Sequence, residues 1–369
     1  MGSATCYNLA KRGQSVLGLD QFEIPNKNSS HSGQSRIIRK AYFEHTAYVP
    51  LMERAYELWH QFEQTCQRQL FYQTGIVYFG KPETNTLHAV TNSATAYNVE
   101  IDQPTLTEAS RLFPAFKVPD GFEAIIEPDA GFVLPEETIL LYAREASKLG
   151  AIIHSNEPVI RWQLENDKVK VETGKAVYGA DKLIITAGPW ASKLIPGFEA
   201  KLKVTEQMMA WMKPNDPEKF ILGNFPCWFV DDPERGIFYG FPIMPAGLGG
   251  PAGLKLAHHF HGETTDPNRR NLEPTAKAIE NIRYFLKTYL PAAGGEIVFT
   301  QQCLYSNSAD EHFIIDHLPG HGNKVVVACG FSGHGFKFVP VIGEILTDLA
   351  IEGNTDLSID FLSLRRFRS

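Results

Sequence analysis

Cysteine is scarce in this chain of 369 residues: there are five, Cys6, Cys66, Cys227, Cys303 and Cys329, an odd number with no CxxC pair. That excludes a disulfide framework or a zinc knuckle and fits a reducing compartment. Charge of one sign is not concentrated either. The formal net charge of -7 is spread without a basic run or stripe, so nucleic acid is not an expected partner. Long apolar runs are absent as well. Nothing approaches the length of a membrane span, and no charged-then-apolar secretory segment opens the chain, so no membrane association and a cytoplasmic location are expected. The terminal Phe367-Arg368-Ser369 is not a peroxisomal address. His258, His259 and His261 lack paired carboxylate or cysteine ligands at suitable spacing, which excludes a metal reading. A complete GxGxxG turn is also missing.

What the chain does have is enough apolar material, 43% hydrophobic residues, for two cores, and its length exceeds what one core usually serves. Met1 to Thr5 opens into a helix ending at Gly13, and Ser15 to Asp20 reads as a buried strand closing on an acid. An acid about 20 residues past a glycine turn holds the ribose hydroxyls of an adenine dinucleotide. Gly2 and Asp20 stand at those two places, and this is half of a dinucleotide fold. The first strand and the start of its glycine-rich turn are not in the chain. The expectation is that Met1 is an internal start and that the natural protein carries a further strand upstream.

The polar, turn-rich stretch 26–35 is a loop that delivers Arg36 and Arg39. These share a face on a helix and diverge on an extended strand. Residues 48–67 read as an amphipathic helix, 71–80 as a strand opening a second domain, 84–96 as a helix and 123–133 as a strand pair. The chain then returns to the first domain with a helix over 135–149, a strand over 151–154 and half a hairpin over 169–173. Val159 lies in a further strand, where a core valine is the plain reading. Residues 180–190 form a second strand-to-glycine turn, and Ala187-Gly188 suits a backbone that must approach a cofactor closely. Trp190 there either shields that cofactor or packs the next helix. Strands at 204–212 and 237–241 belong to the second domain. In 253–259 the period-2 alternation puts Lys255 and His259 on one face and Leu254, Leu256 and His258 on the other. Residues four apart on a strand are roughly 13 Å apart, about the length of a fused three-ring system, so both can face one such ring. For His258 and His261 an exposed strand edge is the plainer account.

The C-terminal part organises the rest. Residues 324–329 form a short apolar run suited to a buried strand; Gly330, Gly333 and Gly335 follow, and an amphipathic helix runs from 339 to 351. Strand, glycine turn and helix start make an anion site, because the first helical N–H groups are unpaired and carry the positive end of the helix dipole. The pattern Cys303-Leu304-Tyr305-Ser306-Asn307-Ser308-Ala309-Asp310-Glu311-His312-Phe313-Ile314-Ile315-Asp316 precedes it, and Gly330-Phe331-Ser332-Gly333-His334-Gly335-Phe336-Lys337-Phe338 ends it. Further upstream stand Ser30-His31-Ser32-Gly33-Gln34-Ser35-Arg36-Ile37-Ile38-Arg39, Phe238-Tyr239-Gly240-Phe241-Pro242 and Gly253-Leu254-Lys255-Leu256.

Together these motifs resemble the monomeric sarcosine oxidases and their relatives that oxidise N-methyltryptophan and pipecolate, over essentially the whole chain. The resemblance implies an α/β glutathione-reductase-like FAD-binding fold with a second, α+β substrate domain on a mainly antiparallel sheet. The FAD-binding part is expected at 1–70, 135–199 and 300–369, and the substrate part at 71–134 and 200–299. Cys303, by itself an inert core thiol to the eye, takes the role of the cysteine that carries FAD as a thioether. Arg36 falls against the flavin, with Ser35 beside it. Arg39 and Lys337 fall on the substrate carboxylate, and Tyr239, His259 and Tyr305 around the amine. Lys255 is placed to promote oxygen reduction. Cofactor contacts are also implied at Gly2, Asp20, Val159, Thr186, Gly188, Trp190, Gly333, Gly335, Phe336 and Lys337. The loop 243–251 is expected to shape the pocket. Where many bacterial members have two adjacent histidines, this chain has His31 and Ser32.

The activity implied is oxidation of sarcosine or another N-methyl amino acid by a monomer: hydride leaves the carbon beside nitrogen, the imine hydrolyses, and O2 becomes H2O2. A pipecolate or N-methyltryptophan oxidase, a flavin dehydrogenase using another acceptor, and a cofactor-free binding remnant are the other readings.

Overall fold

Between Val49 and Cys66 apolar residues recur every three or four positions, at Val49, Met52, Ala55, Tyr56, Trp59 and Phe62, and all are buried on one face of an 18-residue helix. Pro50 sits in its first turn, where no N–H is missed, and Gln67 ends it in the left-handed region. That face packs on the helix Val339–Ile351. The computed structural model describes residues 1–199, 201–259 and 262–367. His261 and the last two residues of the C-terminal tripeptide lie outside the described residues.

The helix Val339–Ile351 has the predicted bounds but not the predicted amphipathicity. Ten of its 13 residues are buried, because the helices Gly2–Lys11 and Val49–Cys66 and the strand Val325–Cys329 all contact it. Truncating one of its isoleucines to alanine should cost about 2–5 kcal/mol. The glycine segment also does not enter it directly: a 3-10 turn, Phe336–Phe338, comes between.

Two parallel pieces form the dinucleotide half among the described residues. Leu17–Leu19 pairs with Ile152–His154, and Leu183–Ile185 pairs with Val325–Cys329, which Ile314–His317 joins in antiparallel sense. A three-stranded antiparallel sheet, Val159–Glu165, Lys168–Thr173 and Val177–Ala180, sits beside them. Val159 lies at the bulged start of that sheet and packs at the edge of a core with Leu19 and Ile185.

The second half is a seven-stranded, mainly antiparallel sheet in the order Glu296–Ser308, Leu202–Lys213, Leu254–His259, Gly236–Gly240, Cys227–Asp232, Ile76–Gly80, Glu123–Glu127. The stretch 71–80 is two strands: Thr74-Gly75 turns the chain, so Phe71–Gln73 joins a small sheet with Arg36–Ile38 and Gly131–Val133, while Ile76–Gly80 enters the large one. The same division separates Glu123–Glu127 from Gly131–Val133, which do not pair with each other. The helix Ala276–Tyr289, not anticipated, covers the large sheet through Ile282, Phe285, Leu286 and Tyr289. The strand Glu296–Ser308, which carries Cys303 and Tyr305, crosses the expected boundary between 299 and 300 and pairs along its length with Leu202–Lys213. The small sheet, the glycine segment and the large sheet meet where the candidate site lies.

Candidate active site

Arg36 is in the strand Arg36–Ile38 and Arg39 follows one residue after it, yet both line one cavity of about 40 Å³. Tyr239, His259, Tyr305, Gly333, Phe336 and Lys337 line it too, so seven sequence-predicted residues besides Arg36 meet here. Phe43, Glu44, Phe229 and His334 complete much of the wall.

Arg39 is 1% exposed. Its Nη1 donates to the Ala41 carbonyl at 2.9 Å, and its Nη2 donates to both Glu44 oxygens at 2.8 and 2.6 Å. The guanidinium carbon lies 4.0 Å from the Phe43 ring centre and 4.2 Å from that of Tyr42. Its Nε–H, fully buried, has no partner among the described residues. Lys337 is also buried and donates hydrogen bonds to the His334 carbonyl at 2.7 Å and the Tyr42 hydroxyl at 3.3 Å, so that among the described residues one of its three N–H donors is left for something else. The Trp59 indole N–H holds the Lys337 carbonyl at 2.9 Å, which ties this segment to the helix Val49–Cys66. Burial pushes the Lys337 ammonium down to about 7; the Arg39 charge adds to that and Glu44 opposes it. Burial raises the Glu44 carboxyl, but Arg39, His334 and Lys337 outweigh it and hold the group at about 2. Burial lowers His334 to about 3, leaving it neutral, with Nδ1 2.7 Å from the Tyr42 hydroxyl.

On the sheet side, His259 Nδ1 lies 3.2 Å from the Tyr305 hydroxyl, and Tyr305 shares a hydrogen bond with Tyr239. Burial raises both phenols above their usual range, so they remain neutral. The predicted alternation along Leu254–His259 is observed. Lys255 and His259 lie on one face, the first reaching Ser35 and the second Tyr305, while His258 stacks on Phe238 with ring centres 4.3 Å apart.

Lys255 is 1% exposed and its ammonium is held by the Gly33 carbonyl and by the carbonyl and hydroxyl of Ser35, at 2.8 and 3.2 Å for the latter two. The Phe241 and Trp211 rings border it. Burial, with the nearby Arg36 charge, pushes its pKa well below the usual lysine value. Arg36 Nη2 donates to the Ser30 and Ser32 carbonyls at 3.0 and 2.6 Å and reaches Cys303 Sγ at 3.5 Å. Cys303 Sγ is in turn 3.3 Å from the Ser30 carbonyl. Arg36 and Lys255 are thus two buried cations held by carbonyl, hydroxyl and thiol groups rather than by a carboxylate. The Glu136 carboxylate, which accepts the Gly33 and Gln34 N–H groups, acts on both only at longer range, and buried charge without a directly paired opposite charge is costly. This donor set fits a group that becomes anionic, as a flavin does on reduction.

The other predicted contacts assemble at the dinucleotide half. A side chain on Gly2 would meet Thr186 Oγ1 at 2.8 Å, which brings the start of the first helix against the turn after Leu183–Ile185. Asp20 follows the strand Leu17–Leu19, and its carboxylate accepts the Phe22 N–H at 2.9 Å. Gly188 has a positive φ of 52° and open space where its Cβ would be. Trp190 packs with Val204 and Leu304, edges onto Phe22, and donates to Asn268 Oδ1 at 2.6 Å. Gly335 lies so close to Phe331 that a side chain would meet it at 2.6 Å. Sequence reasoning left Glu44 and His334 without roles. His334 was visible inside the glycine motif, and Glu44 as a lone acid after Ala41-Tyr42-Phe43.

The model of the DAO family, FAD dependent oxidoreductases, matches residues 1–349. The chain belongs to this family. This FAD-dependent oxidoreductase is 38% identical over 373 residues to a monomeric sarcosine oxidase of Bacillus sp. (strain B-0618), covering 99% of this chain and 93% of that one. It is 32% identical over 369 residues to an N-methyl-L-tryptophan oxidase of Salmonella typhimurium (strain LT2), covering 100% and 96%. The open form of NikD, an unusual amino acid oxidase essential for nikkomycin biosynthesis, superposes with a TM-score of 0.84 at 25% identity, over 98% of this chain and 94% of NikD. An L-proline dehydrogenase from P. horikoshii shares the fold, with a TM-score of 0.83 at 23% identity over 99% and 94%.

Proposed function

We propose that this oxidoreductase oxidises a small secondary amino acid, sarcosine or another N-methyl amino acid, with O2 as the final acceptor. Arg39 and Lys337 carry the proposal: two buried cations on one cavity wall, the first with an orphaned Nε–H and the second with a spare N–H. Such a pair suits a substrate carboxylate, and charge-assisted contacts of this kind fix orientation. With the carboxylate there, the substrate amine falls among the neutral phenols of Tyr239 and Tyr305 and the His259 ring.

FAD, when bound, supplies the acceptor for the electron pair. The overall reaction removes two electrons and two protons from the amine and gives an imine, which water splits to an aldehyde and the shorter amine. O2 takes both electrons, and H2O2 is released. Arg36 and Lys255 supply fixed positive charge where negative charge gathers during this exchange, and Lys255 serves the oxygen half. Cys303 attaches the flavin covalently; its sulfur is buried, 3.5 Å from Arg36 Nη2 and 3.3 Å from the Ser30 carbonyl, on the strand that borders the cavity. Residues 1–70, 135–199 and 300–369 grip the cofactor, and 71–134 and 200–299 roof the substrate, with the strand Glu296–Ser308 shared across that boundary as part of the large sheet.

The protein works as a monomer in the cytoplasm, a reading supported by the name of its sarcosine-oxidising relative and by its five free cysteines. The experiment is a panel of sarcosine, N-methyltryptophan, pipecolate and proline, read as flavin bleaching without oxygen and as peroxide with it. Bleaching without peroxide would assign a dehydrogenase, and no bleaching by any of the four would overturn the proposal.

A further inference from the structure

We propose that Glu127 is a positioning residue for Arg39, acting through the turn at Lys40 and Ala41; the inference rests on Arg39 being the substrate-carboxylate site. Glu127 ends an edge strand of the large sheet, opposite Ile76, and is 0% exposed. Its Oε1 accepts the Lys40 N–H at 2.5 Å, and its Oε2 accepts the Ala41 N–H at 3.3 Å and the Tyr78 O–H at 3.2 Å. The same Ala41 residue gives its carbonyl to Arg39 Nη1 at 2.9 Å. A second route converges on the same guanidinium. The Tyr78 ring stacks on Phe229 with centres 5.6 Å apart, and Phe229 lies 5.7 Å from the Arg39 guanidinium carbon.

A carboxylate is the side chain this turn needs, because two consecutive peptide N–H groups point at it and only a carboxylate offers an acceptor to each. The amide of glutamine would turn an NH2 toward one of them. Buried N–H groups left without acceptors are costly, so the turn would shift to satisfy them and carry the Ala41 carbonyl away from Arg39. Arginine loses much rotamer freedom when it is fixed, and a turn that holds it in advance spares the ligand that cost. Glu127 does not line the cavity, so it acts on affinity and not on the chemical step.

The test uses butanoate, which replaces the nitrogen of sarcosine by carbon and cannot be oxidised. Its binding to the flavin-loaded enzyme is read from the visible spectrum, without turnover. Glu127→Gln is expected to weaken butanoate about tenfold and raise KM for sarcosine by a similar factor, with the limiting rate of flavin bleaching unchanged. Tyr78→Phe, which leaves both N–H contacts in place, is expected to weaken butanoate about threefold and decides the matter if Glu127→Gln does not fold. Arg39→Met is measured alongside. Unchanged affinity in Arg39→Met overturns the carboxylate reading itself. Loss there with wild-type affinity in Glu127→Gln, or in Tyr78→Phe where that variant decides, overturns the role of Glu127 alone, and so does a fall in bleaching rate equal to the fall in affinity.

Discussion

Arg39 and Glu44 form an ion pair inside the candidate site, with one guanidinium nitrogen between both carboxylate oxygens at 2.8 and 2.6 Å. The arginine is almost wholly enclosed and the glutamate nearly so. Glu44 therefore occupies donors that a ligand carboxylate would also seek, and it neutralises Arg39 when none is bound. Glu44→Gln removes one negative charge from a cluster that also holds Lys337. At pH 6, butanoate should bind about tenfold more tightly, as expected for losing a like charge a few ångströms away in a partly buried site. The same change leaves a buried arginine without its counter-charge, so the melting temperature should fall by several degrees. A spectral titration and a thermal scan check the two halves. Weaker binding would mean that Glu44 holds Arg39 in its binding posture.

Lys337 sets a pH dependence whose sign follows from its environment. With its ammonium pushed down to about 7, the free enzyme carries the charge below pH 7 and loses it above. Only the charged form attracts a carboxylate, and a bound carboxylate raises the pKa again. Butanoate affinity should be flat below about pH 6 and fall above 7 by up to tenfold per pH unit. Lys337→Met should bind butanoate about one to three decades more weakly at pH 6 and lose this slope. Titrations between pH 6 and 9 decide it.

Much of this site was legible because its carriers obey short-range rules. Lys255 and His259 alternate along one strand, so the period of two placed both on one face, where the structure has them. Arg36 and Arg39 were harder. Their spacing gave opposite answers for helix and strand, and they meet only because the chain leaves the strand after Ile38. Glu127 depends on contacts between distant segments, which no local pattern encodes, whereas Glu44 pairs with Arg39 only five residues away and takes the rest of its setting from His334 and Lys337. The helix Ala276–Tyr289 is different: its apolar spacing at Ile282, Phe285, Leu286 and Tyr289 was available. The near-complete burial of Val339–Ile351 was not, since it arises from neighbours on several sides.

Cys303 sits 3.5 Å from the Arg36 guanidinium, and Cys227 and Cys329, also buried, have their thiols pushed up to about 12 by burial. Cys303, by contrast, directly contacts an arginine and borders the cavity through its neighbour Tyr305. Cys303→Ser should leave flavin that acid precipitation releases into the supernatant, whereas wild-type protein should retain its colour in the pellet. Release of all the colour from the wild type would defeat covalent attachment.

Lys255→Met keeps length and removes charge from an ammonium caged by Gly33 and Ser35. Flavin bleaching by substrate should change little, while reoxidation by O2 should slow by at least two decades, the scale of losing one preorganised electrostatic contact. Stopped-flow traces of the two half-reactions measure this, and equal slowing of both would remove the special role of Lys255 toward oxygen.

Gly188 and Gly333 give a paired test of where the cofactor and substrate lie. Both have positive φ, 52° and 80°, so alanine at either costs about 1 kcal/mol of backbone strain. Their surroundings differ. A Cβ at Gly333 would lie 2.2 Å from Tyr305 Cε2, an overlap that must move the ring and break its contact with His259. A Cβ at Gly188 meets nothing within 4 Å in the protein. If a cofactor backbone passes there, Gly188→Ala should lower flavin content at nearly unchanged apoprotein stability. Gly333→Ala should lose most of kcat/KM for the amine even in the molecules that hold flavin. Flavin-to-protein ratios and steady-state kinetics on the two variants separate the cases, and full flavin content in Gly188→Ala would place the cofactor away from that turn.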